Sequence, residues 1–191
     1  QQIELDLEKN QYLSSITIEE NNTFIGMVTT DNQTENQTNL ELIRFDIDGK
    51  ELLRMNIKES LCLEQDTLTN RIFLDNKGDI LLFGNSKVYI LNQDFKLIND
   101  VKIEDGWQIA DIALAKNGQV ICVENQQNVA EISTRARIFD IEKGKWGDKI
   151  KIACNSYSGS DYVMDGIDAD IYYKDNSGIY SYNIENKESN K

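Results

Sequence analysis

The sequence predicts an all-β, β-propeller-like fold of about four four-stranded antiparallel blades. Three observations predict it. Short apolar runs alternate with Gly/Asn/Asp clusters, one apolar-turn-apolar segment recurs without a gap, and a Phe- or Tyr-led third strand returns at intervals of about 40 to 50 residues. Helical arrays with similar periods need 3.6-residue patterning, and that is absent.

The clearest unit spans 67–103. Within it, Ile72-Phe73-Leu74, Ile80 to Phe83, Val88 to Leu91 and Phe95 to Ile103 read as strands. They are separated by Asp75-Asn76-Lys77-Gly78, Gly84-Asn85-Ser86 and Asn92-Gln93-Asp94. Ile80 to Phe83 is apolar at every position, so both faces of that strand should be covered, as between stacked sheets.

IFLDNKGDILLF, from Ile72, aligns on IALAKNGQVICV, from Ile112, placing Gly78 on Gly118. The same register reaches back to ITIEENNTFIGM, from Ile16, where Asn22 takes the glycine position, and forward to VMDGIDADIYY, from Val163. Phe45-Asp46-Ile47, Tyr89-Ile90-Leu91, Phe139-Asp140-Ile141 and Tyr182-Asn183-Ile184 mark the third strands. The repeat units are thus about 12–57, 67–103, 107–152 and 161–187, within one domain spanning 1–191. Four blades are the lower limit for a closed ring. The chain therefore closes at four, or forms an incomplete propeller whose open sheet face would pair in a homodimer or meet further chain.

In the first unit, Leu13 to Ile18, Phe24 to Val28 and Leu40 to Ile47 read as strands. The polar run Thr29 to Asn39 reads as a long mobile hairpin loop with no part in a core. Glu124 to Thr134 is the matching extension of the third unit. Both lie in the connection between second and third strands, which shares one face of a propeller with the links between blades. A ligand surface is expected on that face.

Those links carry the candidate ligand-binding residues. Asp105-Gly106-Trp107 precedes the third unit, and Tyr157-Ser158-Gly159-Ser160-Asp161-Tyr162 precedes the fourth. An aromatic ring on a Gly-rich loop beside a carboxylate offers a stacking surface to a sugar or peptide. Trp107, Asp105, Tyr157, Asp161 and Tyr162 are the residues so placed. The structural alternative makes Trp107 a plug between neighbouring blades.

Composition narrows the chemistry. There is no histidine, so Ser-His and Cys-His nucleophile pairs and histidine metal ligands are excluded. With 33 acidic against 20 basic residues the formal charge is −13, which repels phosphate backbones and makes nucleic acid a poor partner. No apolar run approaches the length of about 18 residues that a spanning helix needs, so membrane insertion is not expected. Cys62, Cys122 and Cys154 are predicted to be free, buried thiols, because the blade spacing holds Cys122 and Cys154 too far apart for a disulfide. Asp161, Asp165, Asp168 and Asp170 crowd together and could offer oxygens to Ca²⁺, and Asp46-Ile47-Asp48-Gly49 is like part of a calcium loop. Hairpin chemistry accounts for both, and no metal or other cofactor is expected.

Asp165-Gly166-Ile167-Asp168-Ala169-Asp170-Ile171-Tyr172-Tyr173, followed by Gly178-Ile179-Tyr180-Ser181-Tyr182-Asn183-Ile184, resembles the "YDFYY … LYGYDL" pattern of propeller-like regions in secreted lipoproteins of low-GC Gram-positive bacteria. Some of those regions precede a transporter-type solute-binding domain. The likeness covers about 25 residues, and Asp168-Ala169 stand where the pattern has a Tyr. The resemblance implies an extracellular or cell-surface location, a non-catalytic accessory role, and a natural protein that continues past Lys191. It assigns no site residues.

The leading expectation is a non-catalytic extracellular propeller domain that binds a glycan, peptide or protein partner, accessory to a solute-binding domain. The alternative is a propeller enzyme working with carboxylates alone, such as a glycoside hydrolase. That would need two carboxyl groups about 5 to 10 Å apart in one cleft. Asp105, Asp111, Asp161 and Asp165 are its candidates.

Overall fold

The computed structural model describes residues 3–32, 37–63, 67–114, 119–126, 134–151, 162–165, 170–175, 178–183 and 188–190. Among these residues sixteen strands form four four-stranded antiparallel sheets, and within each sheet every strand is hydrogen-bonded to its sequence neighbour. The chain divides into two compact units, Gln1–Asp100 and Val101–Lys191, with the boundary inside the eighth strand.

In the first unit, β1 (Gln11–Ile18), β2 (Phe24–Asn32), β3 (Gln37–Phe45) and β4 (Glu51–Asn56) form the first sheet. One helical turn, α1 (Ile57–Ser60), follows, capped by the Asn56 side chain, which accepts from Glu59 N at 3.1 Å. The second sheet is β5 (Leu68–Leu74), β6 (Ile80–Gly84), β7 (Lys87–Leu91) and β8 (Leu97–Lys102).

The two faces of β2 feed different cores, which is why Phe24 to Thr30 are buried without interruption. Ile25 and Met27, with Leu42, pack against Ile80, Leu82, Tyr89 and Leu91 of the second sheet and Ile57 of α1. On the other face, Phe24, Val28, Ile43 and Phe45 form a cluster closed by Leu5, Leu7 and Leu13, with the Phe24 and Phe45 rings stacked at 5.2 Å. Each fully buried aliphatic or aromatic side chain contributes about 1.5–3 kcal/mol.

Three hairpins share one mechanism. Asp46, Asp75 and Asn92 each open a turn in which the side-chain Oδ1 accepts the backbone N–H groups two and four residues on. The residue three positions on is left-handed in each: Gly49 (φ 84°), Gly78 (φ 79°) and, without a glycine, Phe95 (φ 61°). Asp46 is thus a turn residue, as the hairpin reading expected. Asn22 adopts φ 57° at the position aligned with Gly78, and Ile18↔Phe24, Leu74↔Ile80 and Leu114↔Val120 are equivalent pairs, so the repeat register holds through three sheets.

Val101–Lys191 contains the third sheet, β9 (Trp107–Leu114), β10 (Val120–Gln126), β11 (Thr134–Asp140) and β12 (Lys145–Lys151). It also contains the fourth, β13 (Tyr162–Asp165), β14 (Asp170–Asp175), β15 (Gly178–Asn183) and β16 (Glu188–Asn190).

Four expectations need correction. The run Thr29 to Asn39 is mostly strand: β2 and β3 stay paired out to Asn32↔Gln37, and Thr29 and Thr30 are buried. Thr is β-branched and fits a pleated surface, so polarity alone misjudged it. Glu124–Gln126 and Thr134 likewise extend β10 and β11, with Glu124 fully buried. The third-strand markers slip between sheets: Phe45 and Phe139 pair with the first residues of β2 and β10, whereas Tyr89 pairs with Leu82, the third residue of β6, and Tyr182 with Ile171, the second of β14. The slip of two in the second sheet keeps the same face, so an alternating pattern conceals it. Finally, Cys62 is exposed, at φ 51° just after α1, while Cys122 is buried; both are free thiols, and Cys154 lies outside the described residues.

Candidate functional site

Trp107 opens β9 opposite Gln126, the last residue of β10. The tight turn before it is closed by Trp107 N donating to Glu104 O at 3.0 Å, with Gly106 at φ 83° and open space where its Cβ would be. This turn sets Glu104, exposed Asp105 and half-buried Trp107 at one end of the third sheet. The same end receives the end of β10, the start of β11 and the end of β12.

The strand register brings five charges there. Glu124 faces Arg135 across β10–β11, Cys122 faces Arg137, and Arg137 in turn faces Lys149 on β12. Alternation places Glu124, Arg135 and Arg137 on one face of the sheet. Arg135 Nε donates to Glu124 Oε2 at 2.6 Å, and Arg137 Nη1 lies 3.6 Å from Glu124 Oε1. Arg135 Nη1 also meets Glu104 Oε2 at 2.7 Å, and Lys149 Nζ reaches the same oxygen at 2.7 Å. Both guanidinium groups lie over indole rings, Arg135 at 3.8 Å from the Trp107 centroid and Arg137 at 4.5 Å from that of Trp146. Trp146 is fixed by an edge contact to Phe139 and by Nε1 donating to Lys102 O at 3.0 Å.

Burial decides the electrostatics. The Glu124 side chain is 0% exposed and that of Arg135 only 9%, whereas Glu104 and Lys149 are 45% and 53% exposed. Burial pushes the Glu124 carboxyl above the usual range, against the pull of Arg135. The Lys149 and Arg135 hydrogen bonds hold Glu104 down at about 2. Burial lowers Arg137 and raises the Cys122 thiol, the latter helped by the nearby Glu124 charge. Glu124 Oε1, Arg135 Nη2 and Arg137 Nε are buried without a hydrogen-bond partner.

The first sheet shows what this position ordinarily holds. By register Val28 corresponds to Glu124, Ile43 to Arg137, Glu41 to Arg135 and Arg54 to Lys149. Val28 and Ile43 belong to an apolar cluster. Glu41 there joins Arg54 at 2.8 Å and Gln11 at 3.3 Å, nearer the edge. The third sheet thus replaces a greasy face by an ionic one.

Of the sequence candidates, Asp105 and Trp107 fall in this cluster's turn. Tyr157 and Asp161 lie outside the described residues. Tyr162 opens β13, paired with Tyr173. Trp107 is half-buried against an arginine of its own sheet. Asp111, a candidate of the enzyme reading, accepts from Ile112 N at 2.8 Å, and Asp165 pairs with Asp170 across β13–β14. The sequence reading missed Glu104, Glu124, Arg135, Arg137 and Lys149. The available signal was Arg135-Ala136-Arg137, two cations at strand spacing opposite an acid that directly follows a buried run. No group of three or more metal-ligating side chains occurs among the described residues.

A concavity of about 450 Å³ lies in the first unit between the β1–β2 and β5–β6 turns. Its floor is Arg44, whose Nε and Nη2 bind Glu19 at 2.7 and 2.9 Å and whose Nη1 donates to Gln93 O at 2.6 Å. The guanidinium also covers the Phe95 ring at 4.9 Å. Every Arg44 nitrogen is committed within the unit, so this group acts as a clamp between the two sheets.

No protein-family model matches the sequence, and no curated protein matches it. Among solved structures it is similar to the acylaminoacyl peptidase of Pyrococcus horikoshii (12% identity, TM-score 0.58, covering 95% of this chain and 32% of that one). It is also similar to the WD40 domain of Neurospora crassa Pan2 (12% identity, TM-score 0.52, 94% and 48%). A third is virginiamycin B lyase of Staphylococcus aureus (13% identity, TM-score 0.47, 94% and 57%). The chain spans less than two thirds of the length of each. At these identities the likeness shows the fold, β-propeller-like, and its holders include both enzymes and non-enzymes.

Proposed function

We propose that the chain is a non-catalytic, extracellular β-propeller-like binding module whose ligand surface is the end of the third sheet carrying Asp105 and Trp107. The observation that carries the reading is Trp107 itself. It is a half-exposed indole held against Arg135 beside an open Gly106 turn, a rigid stacking surface with polar groups at its rim. The two acids that bind Arg135 favour binding over acid–base catalysis. Glu104 stays ionised at any ordinary pH, and Glu124, though its pKa is raised, is fully buried and cannot touch a substrate. The likeness of 165–184 to secreted lipoproteins supports a location at the surface of a Gram-positive cell, beside a solute-binding domain.

The test is titration of the chain with panels of oligosaccharides and peptides, followed by tryptophan fluorescence, with analysis of each ligand afterwards. Saturable binding that leaves the ligand intact, and that Trp107→Ala abolishes, is expected. Cleavage of a bound oligosaccharide would establish the carboxylate enzyme instead.

A further inference from the structure

We infer that this sheet end is a subsite for a carboxylated sugar, a hexuronate, and that the Glu104 carboxylate stands in for the ligand's carboxylate when none is bound. The inference rests on the binding-module reading and deepens it.

Three cations, Arg135, Arg137 and Lys149, gather here with Glu124, Glu104 and the exposed Asp105 of the turn, in a chain whose formal charge is −13. Such a local concentration of cations suits an anionic group. Of the Arg135 nitrogens, Nε is bound to Glu124 and Nη1 to a single oxygen of Glu104, while Nη2 is buried with no partner. A guanidinium fork takes a carboxylate best through two parallel hydrogen bonds, and Glu104 supplies one. A ligand carboxylate in its place can take Nη1 and Nη2 together and keep the Lys149 contact. Glu104 is suited to leave. It is half-exposed, on the turn that precedes Gly106, and its departure leaves an ionised carboxylate in water. Glu124 stays behind to hold Arg135 in position.

Trp107 supplies the remainder of the recognition. An indole adjoining an arginine and a lysine matches a pyranose ring bearing a carboxylate, the ring contacting the aromatic surface and the acid reaching the cations. An acidic peptide would satisfy the cations but make poorer use of a rigid indole.

The experiment titrates the folded chain, with tryptophan fluorescence as the readout, against a hexuronate trisaccharide, its methyl ester and a triglutamate peptide. The acid should bind, and the ester about tenfold or more weaker, the scale of one charge-assisted hydrogen bond. Glu104→Gln, checked for folding by circular dichroism, should bind the acid about tenfold tighter because the internal competitor has lost its charge. Lys149→Gln should weaken the acid and leave the ester unchanged. Equal binding of acid and ester would overturn the inference while sparing the binding-module reading. So would binding of the peptide alone, or Glu104→Gln with unchanged affinity. Failure of the chain to bind these and every neutral oligosaccharide and peptide would count against both.

Discussion

Glu124 Oε2 lies 2.6 Å from Arg135 Nε across the β10–β11 pair, with the carboxylate wholly out of solvent, where the first sheet has Val28 opposite Glu41. A buried ion pair offers little net stability against an apolar replacement, but removing one partner strands the other. Glu124→Ala should therefore cost about 3–5 kcal/mol, since Arg135 and Arg137 would be left buried without their shared counter-ion. The triple change Glu124→Val, Arg135→Met, Arg137→Ile should cost less than that single one, because it removes all three buried charges together and strands none. Urea unfolding of both variants measures this; a triple variant less stable than Glu124→Ala would show that the charges stabilise the sheet.

Glu104 contributes to the acid limb of the stability profile, with Glu51 and Asp140, whose carboxyls are also held low. Its folded pKa of about 2 is below the ordinary 4.5, so the folded state binds fewer protons than the unfolded one between these values. The contribution is complete above pH 4.5 and is lost as pH falls toward 2. Glu104→Gln should flatten the dependence of melting temperature on pH in that window. Glu124 acts with the opposite sign: its raised pKa means that its ionisation weakens the fold as pH rises through and above 4.5. A profile between pH 2 and 4.5 unchanged by Glu104→Gln would mean that its ion pairs contribute nothing.

The turns make a graded prediction. At Gly78 an added Cβ would meet only the Gln93 amide nitrogen at 3.0 Å, the end of a flexible side chain. At Gly49 the corresponding atom would collide with the backbone oxygen of Glu4. Both residues are left-handed, so each alanine bears a conformational cost of about 1 kcal/mol. Gly49→Ala should lose clearly more stability than Gly78→Ala, measured by thermal melting. Equal losses would mean that the segment from Ile3 to Leu7 yields freely.

The turns and the strand periodicity were legible because both are local. Asx side chains and positive-φ positions punctuate the chain, and runs such as Ile80 to Phe83 declare a doubly covered strand without reference to any partner. The ionic face was not legible, because it depends on register. Glu124 reads as the start of a polar extension, and Arg135 and Arg137 as residues of the following strand, until β10 and β11 are paired, when alternation puts all three on one face. Thr29 and Thr30 were misjudged for a related reason. Their burial follows from cross-strand neighbours at Leu40 and Asn39, which no local window contains.

The cysteines should separate by reactivity. Cys62 is exposed in the left-handed position after α1, its Sγ 3.9 Å from Glu59 O, so a thiol reagent can reach it in the native protein. Cys122 is buried under the Glu124–Arg137 face, and burial raises its pKa, depleting the thiolate that would react. Peptide mapping after brief labelling should find Cys62 modified and Cys122 untouched, with Cys122 reacting only once the chain is unfolded. Labelling of Cys122 at a rate that barely changes with denaturant at its lowest concentrations would mean that the third sheet opens locally. The ionic face, with its three unpartnered buried atoms, would then be the weakest part of its core.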